Sequence, residues 1–368
     1  MNVLYVTPAF YPAMVYGGTT ESAWGFARGL DAIGCRVQVL TTNANGAATL
    51  NVPDRVPLGR HSEVIYRRRW MREATAPSLL LDLARCGRDA DVIVLNATFN
   101  FTTFPTIGAA RRLGKRLVWA PRGAVLALGA VPPPKKTLWL RTMRALLPHN
   151  TIAHCTSQEE ANALDAWFPA LPTFVVPNGV RLPECSATHV DSAELHVVSI
   201  SRLHPIKGID RLIRALAMLA GPWRCTIAGD GPLPYADTLR ALVRSLGLMD
   251  RITFAGHLTR EECDRLLSTA DVYVCASTSE NFGQSIAEAL AAGVPVIASR
   301  GTPWAAVETH TCGLWVHDDP QSLHDALTRM RTLPRAAMGA RGRSWMERNF
   351  SWEGVSRRWL REATCSKP

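Results

Sequence analysis

The segment that decides the fold is residues 277–299, whose sequence is STSENFGQSIAEALAAGVPVIAS. This order predicts the end of a strand, a loop, a helix that Gly293 stops, and a second strand. The loop, residues 281–284, leads into a helix predicted to begin near Ser285. Because the first amides of a helix have no acceptor inside it, this loop predicts an anion site. Gly283 would let a phosphate approach the backbone closely.

Two carboxylates flank this loop, Glu280 before it and Glu288 after it. Ser285 and Glu288 have the spacing of a capping box, so a purely structural role for Glu288 stays open beside a ligand-binding one. Glu280 precedes no helix start and follows a strand. A carboxylate beside an anion site repels phosphate but accepts hydrogen bonds from hydroxyls, so Glu280 predicts a sugar or ribose as partner.

Strand and helix alternate in the same way on both sides of this segment, which predicts parallel sheets covered on both faces. We predict an α/β chain with two doubly wound domains, residues 1–180 and 190–348, followed by a terminal segment, 349–368. Residues 177–194 predict a linker. Among the predicted helices, one covers residues 238–246. Ligands bind such folds at the carboxyl ends of the strands, so we expect a cleft between the two domains.

Length, composition and charge limit the function classes. The chain has 368 residues, 47% of them hydrophobic and 20% charged, which is ordinary for a two-domain globular protein. Its net charge of +10 is concentrated in residues 1–180, and no acidic residue lies between Asp91 and Glu159. Such a field attracts polyanions, namely nucleic acid, anionic lipid or a phosphorylated substrate, although a basic face with no partner is equally open.

The cysteines and the first residues predict the compartment. The nine cysteines form no CxxC pair and several lie in apolar stretches, which favours buried thiols over disulfides or a zinc site. The start of the chain has no basic segment ahead of its apolar stretch, and no apolar run reaches the length of a membrane span. We therefore expect a cytoplasmic protein.

Residues 280–283, Glu-Asn-Phe-Gly, together with Glu288-Ala289-Leu290 and residues 292–296, resemble the EX7E signature of the GT4 family, retaining glycosyltransferases of the GT-B fold. Other stretches resemble the same family in order along the chain: Gly17-Gly18, Pro177-Asn178-Gly179-Val180, Arg202-Leu203 with Lys207-Gly208, Gly229-Asp230-Gly231-Pro232, and Phe350-Ser351-Trp352. The resemblance implies two Rossmann-like domains facing a cleft, with the C-terminal helix crossing back to the first domain.

The resemblance also implies roles for these residues. Arg202 and Lys207 would bind the diphosphate of a nucleotide sugar, Glu280 the sugar hydroxyls and Glu288 the ribose. The donor site would be completed by Gly17, Gly18 and the loop residues Asn281, Phe282, Gly283, Gln284 and Ser285. Fixed cations suit this chemistry because negative charge develops on the departing diphosphate. No metal and no cofactor beyond the donor is expected.

One position departs from the family pattern. Many relatives have a histidine after the proline of a PHG segment, whereas here the segment is Pro121-Arg122-Gly123. Arginine is not a base at neutral pH, so Arg122 would clamp the acceptor, stabilise the leaving phosphate or be structural. Asn96 and His154 each follow a predicted strand and are acceptor-site candidates. Asp89 and Asp91 match a DxD metal motif but precede a strand directly, which favours a structural role.

A basic helix is predicted over residues 135–147. Trp139, Met143 and Leu146 fall along one side of it, and Lys136 and Arg144 fall elsewhere. This pattern is typical of an interfacial membrane helix and equally of a domain helix whose apolar face is core. The first alternative would bring the protein to the inner face of a membrane.

We therefore predict a metal-independent, retaining glycosyltransferase that moves a hexose from a UDP- or GDP-sugar to a glycan acceptor. A lipid-linked acceptor in bacterial-type polysaccharide or lipopolysaccharide synthesis fits the basic N-terminal half. The alternatives are an epimerase or phosphorylase on the same scaffold, or a nucleic-acid-binding protein. The basic segment 111–144 contains only two aromatic residues, Trp119 and Trp139. This argues against base stacking and so against nucleic acid.

Overall fold

The computed structural model describes residues 1–71, 74–128, 132–184 and 194–365. They form two compact units. Unit 1 contains residues Met1–Gly179 and the chain from Trp352 onward, and unit 2 contains Val180–Ser351.

Unit 1 is built on a mostly parallel sheet. Its strands are β1 (Asn2–Val6), β2 (Arg36–Thr42), β3 (Ala44–Asn45), β4 (Ala48–Thr49), β5 (Arg55–Pro57), β6 (Glu63–Arg67), β7 (Val92–Leu95), β8 (Arg116–Trp119), β9 (Thr151–Cys155) and β10 (Thr173–Val175). Its helices before the linker are α1 (Gly18–Ala32), α2 (Leu79–Asp89), α3 (Thr103–Leu113), α4 (Pro134–Leu146) and α5 (Gln158–Asp165). The main sheet has the order β10-β9-β8-β7-β1-β2-β6-β5, with only β5 antiparallel. The strand order therefore reverses between β1 and β7.

Unit 2 repeats this architecture. Its strands are β11 (Leu195–Ile200), β12 (Trp223–Ala228), β13 (Ile252–Gly256), β14 (Val272–Cys275), β15 (Val296–Ser299) and β16 (Gly313–Val316). Its helices are α6 (Ile209–Met218), α7 (Leu233–Ser245), α8 (Arg260–Ser268), α9 (Gln284–Ala291), α10 (Ala306–Thr309), α11 (Pro320–Met330) and α12 (Arg335–Asn349). All strands are parallel in the order β13-β12-β11-β14-β15-β16, so the order reverses between β11 and β14. The predicted pair of doubly wound sheets is confirmed.

The central strands, such as β7 and β14, are buried along their whole length because both faces of the sheet are covered there. On β1, Leu4 and Val6 belong to one buried cluster, and Val3 and Tyr5 belong to the cluster on the opposite face. This alternation follows from the two-residue repeat of a strand.

The C-terminal helix α13 (Trp352–Thr364) packs on α1 within unit 1. A Cβ at Gly25 would lie 2.3 Å from the Trp352 ring, so this close approach needs glycine. Val355 and Trp359 are buried in the same cluster as Phe26, and the Trp359 ring meets Phe26 edge-on at 5.1 Å. Residues near the chain end thus complete the core of the first unit.

Helix α4 buries part of its apolar side. Leu140 and Met143 are buried in the unit 1 core, and the indole N–H of Trp139 donates to the Thr98 carbonyl at 2.7 Å. The core alternative therefore holds for Met143 and in part for Trp139, whereas Leu146, on the same predicted side, is 39% exposed. No helix in the described ranges combines the length and hydropathy that crossing a bilayer requires.

The cysteines within the described ranges are all free thiols. Cys35, Cys86, Cys155, Cys225, Cys275 and Cys312 are buried, Cys263 is half-buried and Cys365 is exposed. Cys185 lies outside the described residues. Burial raises the pKa of the Cys225 thiol to about 12, which keeps it protonated at neutral pH.

Candidate functional site

The loops after β11 and β14 meet at the point where the strand order of unit 2 reverses. Such a switch point opens a crevice at the carboxyl ends of the strands, where open α/β sheets bind ligands. The amide of Thr278, after β14, donates to the carbonyl of Ile206, after β11, at 2.8 Å. This bond joins the loop that carries Lys207 to the loop that carries Glu280.

Lys207 and Glu280 form an ion pair at this junction. Lys207 Nζ lies 2.5 Å from Glu280 Oε1, and the Ser277 hydroxyl donates to the same oxygen at 2.7 Å. The two side chains are only 18% and 14% exposed. Glu280 is fixed further because its amide donates to the Gly301 carbonyl at 2.8 Å. The sequence predicted both residues as ligand-binding groups but did not predict that they bind each other.

Gly208 lets the Lys207 loop pack against the strand end. Its φ is +64°, and a Cβ there would lie 2.2 Å from the carbonyl oxygen of Ala276. Arg211, in the first turn of α6, donates to that carbonyl at 3.0 Å and to the Thr278 hydroxyl at 2.8 Å, and it pairs with Asp318 at 3.1 Å. Sequence reasoning missed Arg211. Its position four residues after Lys207, one helical turn away, was the available signal.

Arg202 lies on the same loop and is exposed. Within the described ranges, its guanidinium makes no hydrogen bond or ion pair. The glycines of the turn after β12 fix the backbone around it, since a Cβ at Gly229 would lie 1.9 Å from the Ser201 carbonyl. The Leu203 amide also donates to the Asp230 carbonyl at 2.9 Å. The turn of residues 229–231 therefore shapes the loop that presents Arg202.

The loop into α9 corrects one prediction. The helix begins at Gln284, and Gly283, with φ 79° and no side chain, is its N-cap. Ser285 therefore lies inside the first turn, and its hydroxyl oxygen is 2.7 Å from the Tyr273 hydroxyl. The predicted capping box between Ser285 and Glu288 is wrong, because Gly283, with its left-handed backbone, is the N-cap instead. Glu288 lies one turn after Gln284, on the same side of α9.

Phe282 and Asn281 complete this loop. Phe282 is buried and packs against Trp304 at a ring distance of 5.3 Å, and the Trp304 indole donates to the Phe282 carbonyl. Its side chain anchors the loop in the core and is therefore not available to a ligand. Asn281 is half-buried between Glu280 and Phe282.

In unit 1, Gly17 and Gly18 mark the start of α1. Gly17 is the N-cap with φ 60° and ψ −140°, and a Cβ there would meet nothing within 4 Å. The position therefore needs glycine for its backbone conformation and not for space. Gly18 is the first helical residue.

Arg122 follows β8 and has a left-handed backbone, with φ 54°. Its Nε donates to Asn96 Oδ1 at 2.6 Å and its Nη1 donates to Asn178 Oδ1 at 2.9 Å. Asn96 in turn donates to the Thr7 hydroxyl at 3.2 Å. Asn96, predicted as an acceptor-site residue, is thus buried and holds Arg122.

His154 is a core residue, which corrects the prediction that it lines an acceptor site. It is 2% exposed, its ring stacks on Phe174 at 5.2 Å, and its Nε2 lies 2.9 Å from the Val176 carbonyl. Burial, with the charge of Arg122, lowers the pKa of His154 to about 3, so the ring is neutral. Asp91 is structural, since its carboxylate accepts the Asn2 amide at 2.7 Å.

Comparison with known proteins identifies both units. Residues 17–179 match a family described as a glycosyl transferase 4-like domain, and residues 187–345 match the family described as glycosyl transferases group 1. Together these matches span most of the chain. The chain belongs to the GT4-type glycosyltransferases. The resemblance read from residues 277–299 and the ordered motifs is confirmed.

Two curated relatives and one solved structure illustrate this GT4-type similarity. A D-inositol 3-phosphate glycosyltransferase of Mycobacterium sp. strain KMS is 33% identical over 172 residues, 43% of this chain and 39% of that protein. A GDP-mannose-dependent alpha-(1-6)-phosphatidylinositol monomannoside mannosyltransferase of Mycobacterium tuberculosis (strain CDC 1551 / Oshkosh) is 30% identical over 234 residues, 56% of this chain and 60% of that protein. The chain thus spans less than two thirds of either relative. Anabaena HepE, solved with UDP and glucose, shares the GT-B fold with a TM-score of 0.75 at 19% identity, over 98% of this chain and 99% of that one.

Proposed function

We propose that this GT4-type chain is a retaining hexosyltransferase that takes its sugar from a UDP- or GDP-linked donor held by unit 2. The observation that carries the proposal is the Lys207–Glu280 pair at the switch point, next to the start of α9. A cation and a carboxylate side by side match a donor that offers phosphate oxygens and sugar hydroxyls together. The names of both curated relatives support transfer over epimerase or phosphorylase activity.

In the proposed donor complex, Lys207 and the exposed Arg202 bind the diphosphate. The amides from Phe282 to Ser285 add neutral donors, and Glu288 binds the ribose hydroxyls. Glu280 accepts hydrogen bonds from the sugar while it keeps its contact with Lys207. Each charge-assisted bond contributes roughly 1.5–3 kcal/mol. As the sugar bond breaks, these fixed cations meet the charge that develops on the diphosphate.

Retention follows most simply from attack on the face that the diphosphate leaves. The departing phosphate oxygen then takes the proton of the acceptor hydroxyl, and the new glycosidic bond has the anomeric configuration of the donor. Neither Arg122 nor His154 acts as a base here, because arginine stays charged and His154 is buried in the core. The anomer of the product, measured by NMR with the donor identified below, tests this step.

The donor site is tested by calorimetric titration with UDP, UDP-glucose, GDP and GDP-mannose. We expect nucleotides of one base to bind selectively. Lys207→Met should lower the affinity for that nucleotide about 10- to 100-fold. Lys135→Met, which removes an exposed lysine of unit 1, is the matched control and should bind as the wild type does. Glu280→Gln should keep nucleotide affinity and lose at least about 100-fold in transfer, by analogy with the loss of one oxyanion-hole donor. Undiminished transfer by Glu280→Gln contradicts its role.

We further propose a lipid-linked glycan acceptor, presented at the cytoplasmic face of a membrane during polysaccharide or lipopolysaccharide assembly. The second relative's name, which includes a phosphatidylinositol mannoside, supports this acceptor class. Because α4 buries Leu140 and Met143, membrane contact would be electrostatic, through exposed Lys136 and Arg141, without insertion.

Sedimentation with phosphatidylglycerol vesicles tests the membrane proposal. The double variant Lys136→Gln/Arg141→Gln should bind vesicles at least about 10-fold more weakly than the wild type. Binding by the wild type should fall with added salt. Arg244→Gln, an exposed charge of unit 2, is the control. Equal sedimentation of the wild type, the double variant and the control contradicts the membrane proposal. Nucleic acid is not proposed, since Trp119 is buried and Trp139 packs into the core of unit 1.

A further inference from the structure

Arg122 is a half-buried cation whose direct partners are neutral. Two of its five N–H donors go to the amide oxygens of Asn96 and Asn178. In the part of the chain that the structure describes, no carboxylate lies within ion-pair distance of the guanidinium, and its other polar neighbour is the neutral Tyr5 hydroxyl. The donors that remain on Nη1 and Nη2 form the edge with which arginine binds phosphate and carboxylate bidentately.

The surrounding groups do not neutralise this charge. His154 is neutral, and burial raises the pKa of the Tyr5 hydroxyl, so that it stays protonated. The Glu160 carboxylate contacts the residue after Arg122, but its oxygens accept the amides of Gly123 and Thr156 and the Thr156 hydroxyl. A partly desolvated guanidinium with only neutral partners is unfavourable unless a ligand completes it.

The fold holds Arg122 in place at a cost. A left-handed backbone is uncommon for arginine and is retained only where the surroundings fix it. The fully buried Glu160 fixes the next residue by accepting the Gly123 amide. The two asparagines orient the guanidinium, with Asn96 at the strand-order reversal of unit 1 and Asn178 near the end of that unit. Backbone strain and a dedicated buried carboxylate thus hold a cation beside the switch point, where ligands bind such sheets.

We propose that Arg122 binds an anionic group of the acceptor, a phosphate or a carboxylate, and selects acceptors that carry one. The inference rests on the proposed transferase function and names the acceptor class. The same chemistry would fit the diphosphate of the donor, so the experiment must separate the two sources.

The test uses inorganic phosphate as probe, with phosphorus NMR line broadening on the full chain saturated with UDP. UDP occupies the donor site, so remaining phosphate binding reports the Arg122 site. We expect the wild type to broaden the signal at millimolar phosphate, and Arg122→Gln to weaken binding about 10-fold or more. Arg122→Lys, which keeps the charge without the fork, should lie between them. Thermal unfolding of each variant verifies that it is folded.

Three results would overturn the proposal. One is a UDP-saturated wild type that binds no phosphate, and another is Arg122→Gln binding it as the wild type does. The third is that Arg122→Gln lowers the affinity for UDP as much as Lys207→Met does, because Arg122 would then bind the diphosphate of the donor. If UDP does not bind at all, the proposed donor function fails. The comparison of wild type with Arg122→Gln, made without UDP, still decides the phosphate site.

Discussion

At the scale of single residues, the candidate donor site depends on one pair. Lys207 and Glu280 are mostly buried, and each neutralises the other. Removing only one partner leaves a charge in a poorly solvated place, whereas removing both charges does not.

We expect Lys207→Met to lower the free energy of unfolding of unit 2 by about 1–3 kcal/mol, because among the described residues the Glu280 carboxylate then keeps only the Ser277 hydroxyl. Adding Glu280→Gln to this variant should recover most of the loss, since an amide costs less to bury than a carboxylate. Urea unfolding of the four proteins of this cycle measures the coupling. Additive effects of the two substitutions would contradict a buried ion pair.

A second residue-scale prediction concerns acid. His154 has a native pKa of about 3 against 6.5 when exposed, so between these values the unfolded chain binds a proton that the native chain does not. Stability therefore falls as pH decreases from 6.5 towards 3, by up to about 1.4 kcal/mol per pH unit from this group. In His154→Phe, whose ring can still stack on Phe174, the decline of unfolding free energy below pH 6.5 should be shallower. An unchanged slope contradicts the assignment.

The types of the site residues could be predicted from sequence, but their partners could not. Glu280 was predicted from its place after a strand, and Lys207 was predicted from the family resemblance. Their pairing depends on β11 and β14 being neighbours, which follows from strand order and not from local pattern. Asn96 and His154 each follow or end a buried strand, yet burial makes one a support for Arg122 and the other a core residue.

At the scale of elements, glycines decide how closely the loops approach the strands. Gly208 and Gly247 have nearly the same backbone, with φ of +64° and +69°, and differ in their surroundings. Gly208 packs on the Ala276 carbonyl, whereas a Cβ at Gly247 would meet nothing within 4 Å. The two positions form a matched pair because the backbone cost of a side chain is the same in both.

We expect Gly247→Ala to cost about 1 kcal/mol of unfolding free energy from its φ alone and to leave nucleotide affinity unchanged. Gly208→Ala should cost more and weaken UDP or GDP binding about 10-fold, because the Lys207 loop must move away from the β14 end. Calorimetric titration and urea unfolding of both variants measure the difference. Equal nucleotide affinities would show that this close packing does not shape the site.

Element boundaries were predicted less well than element types. Helix α7 begins at Leu233, five residues before the predicted start, because Pro232 and Pro234 lie at positions where a helix tolerates proline. Ser285 has the residue type of a cap, but Gly283 takes that position because its left-handed backbone ends the loop earlier. In both cases the chain uses a residue that usually breaks helices to start one.

At the scale of the whole molecule, the alternation of strand and helix predicted both sheets, but the return of α13 to unit 1 came only from resemblance. Physically this return depends on the fit of Trp352 and Trp359 against α1.

Trp359→Ala should lower the unfolding free energy of unit 1 by about 3–5 kcal/mol, as expected for a buried large side chain. Trp70→Ala, at a tryptophan 73% exposed, is the control and should have little effect. In calorimetry, UDP or GDP should still raise the unit 2 transition of Trp359→Ala by the wild-type amount, because the donor residues of unit 2 are untouched. Loss of that nucleotide shift would show that the donor site depends on the packing of α13 in unit 1.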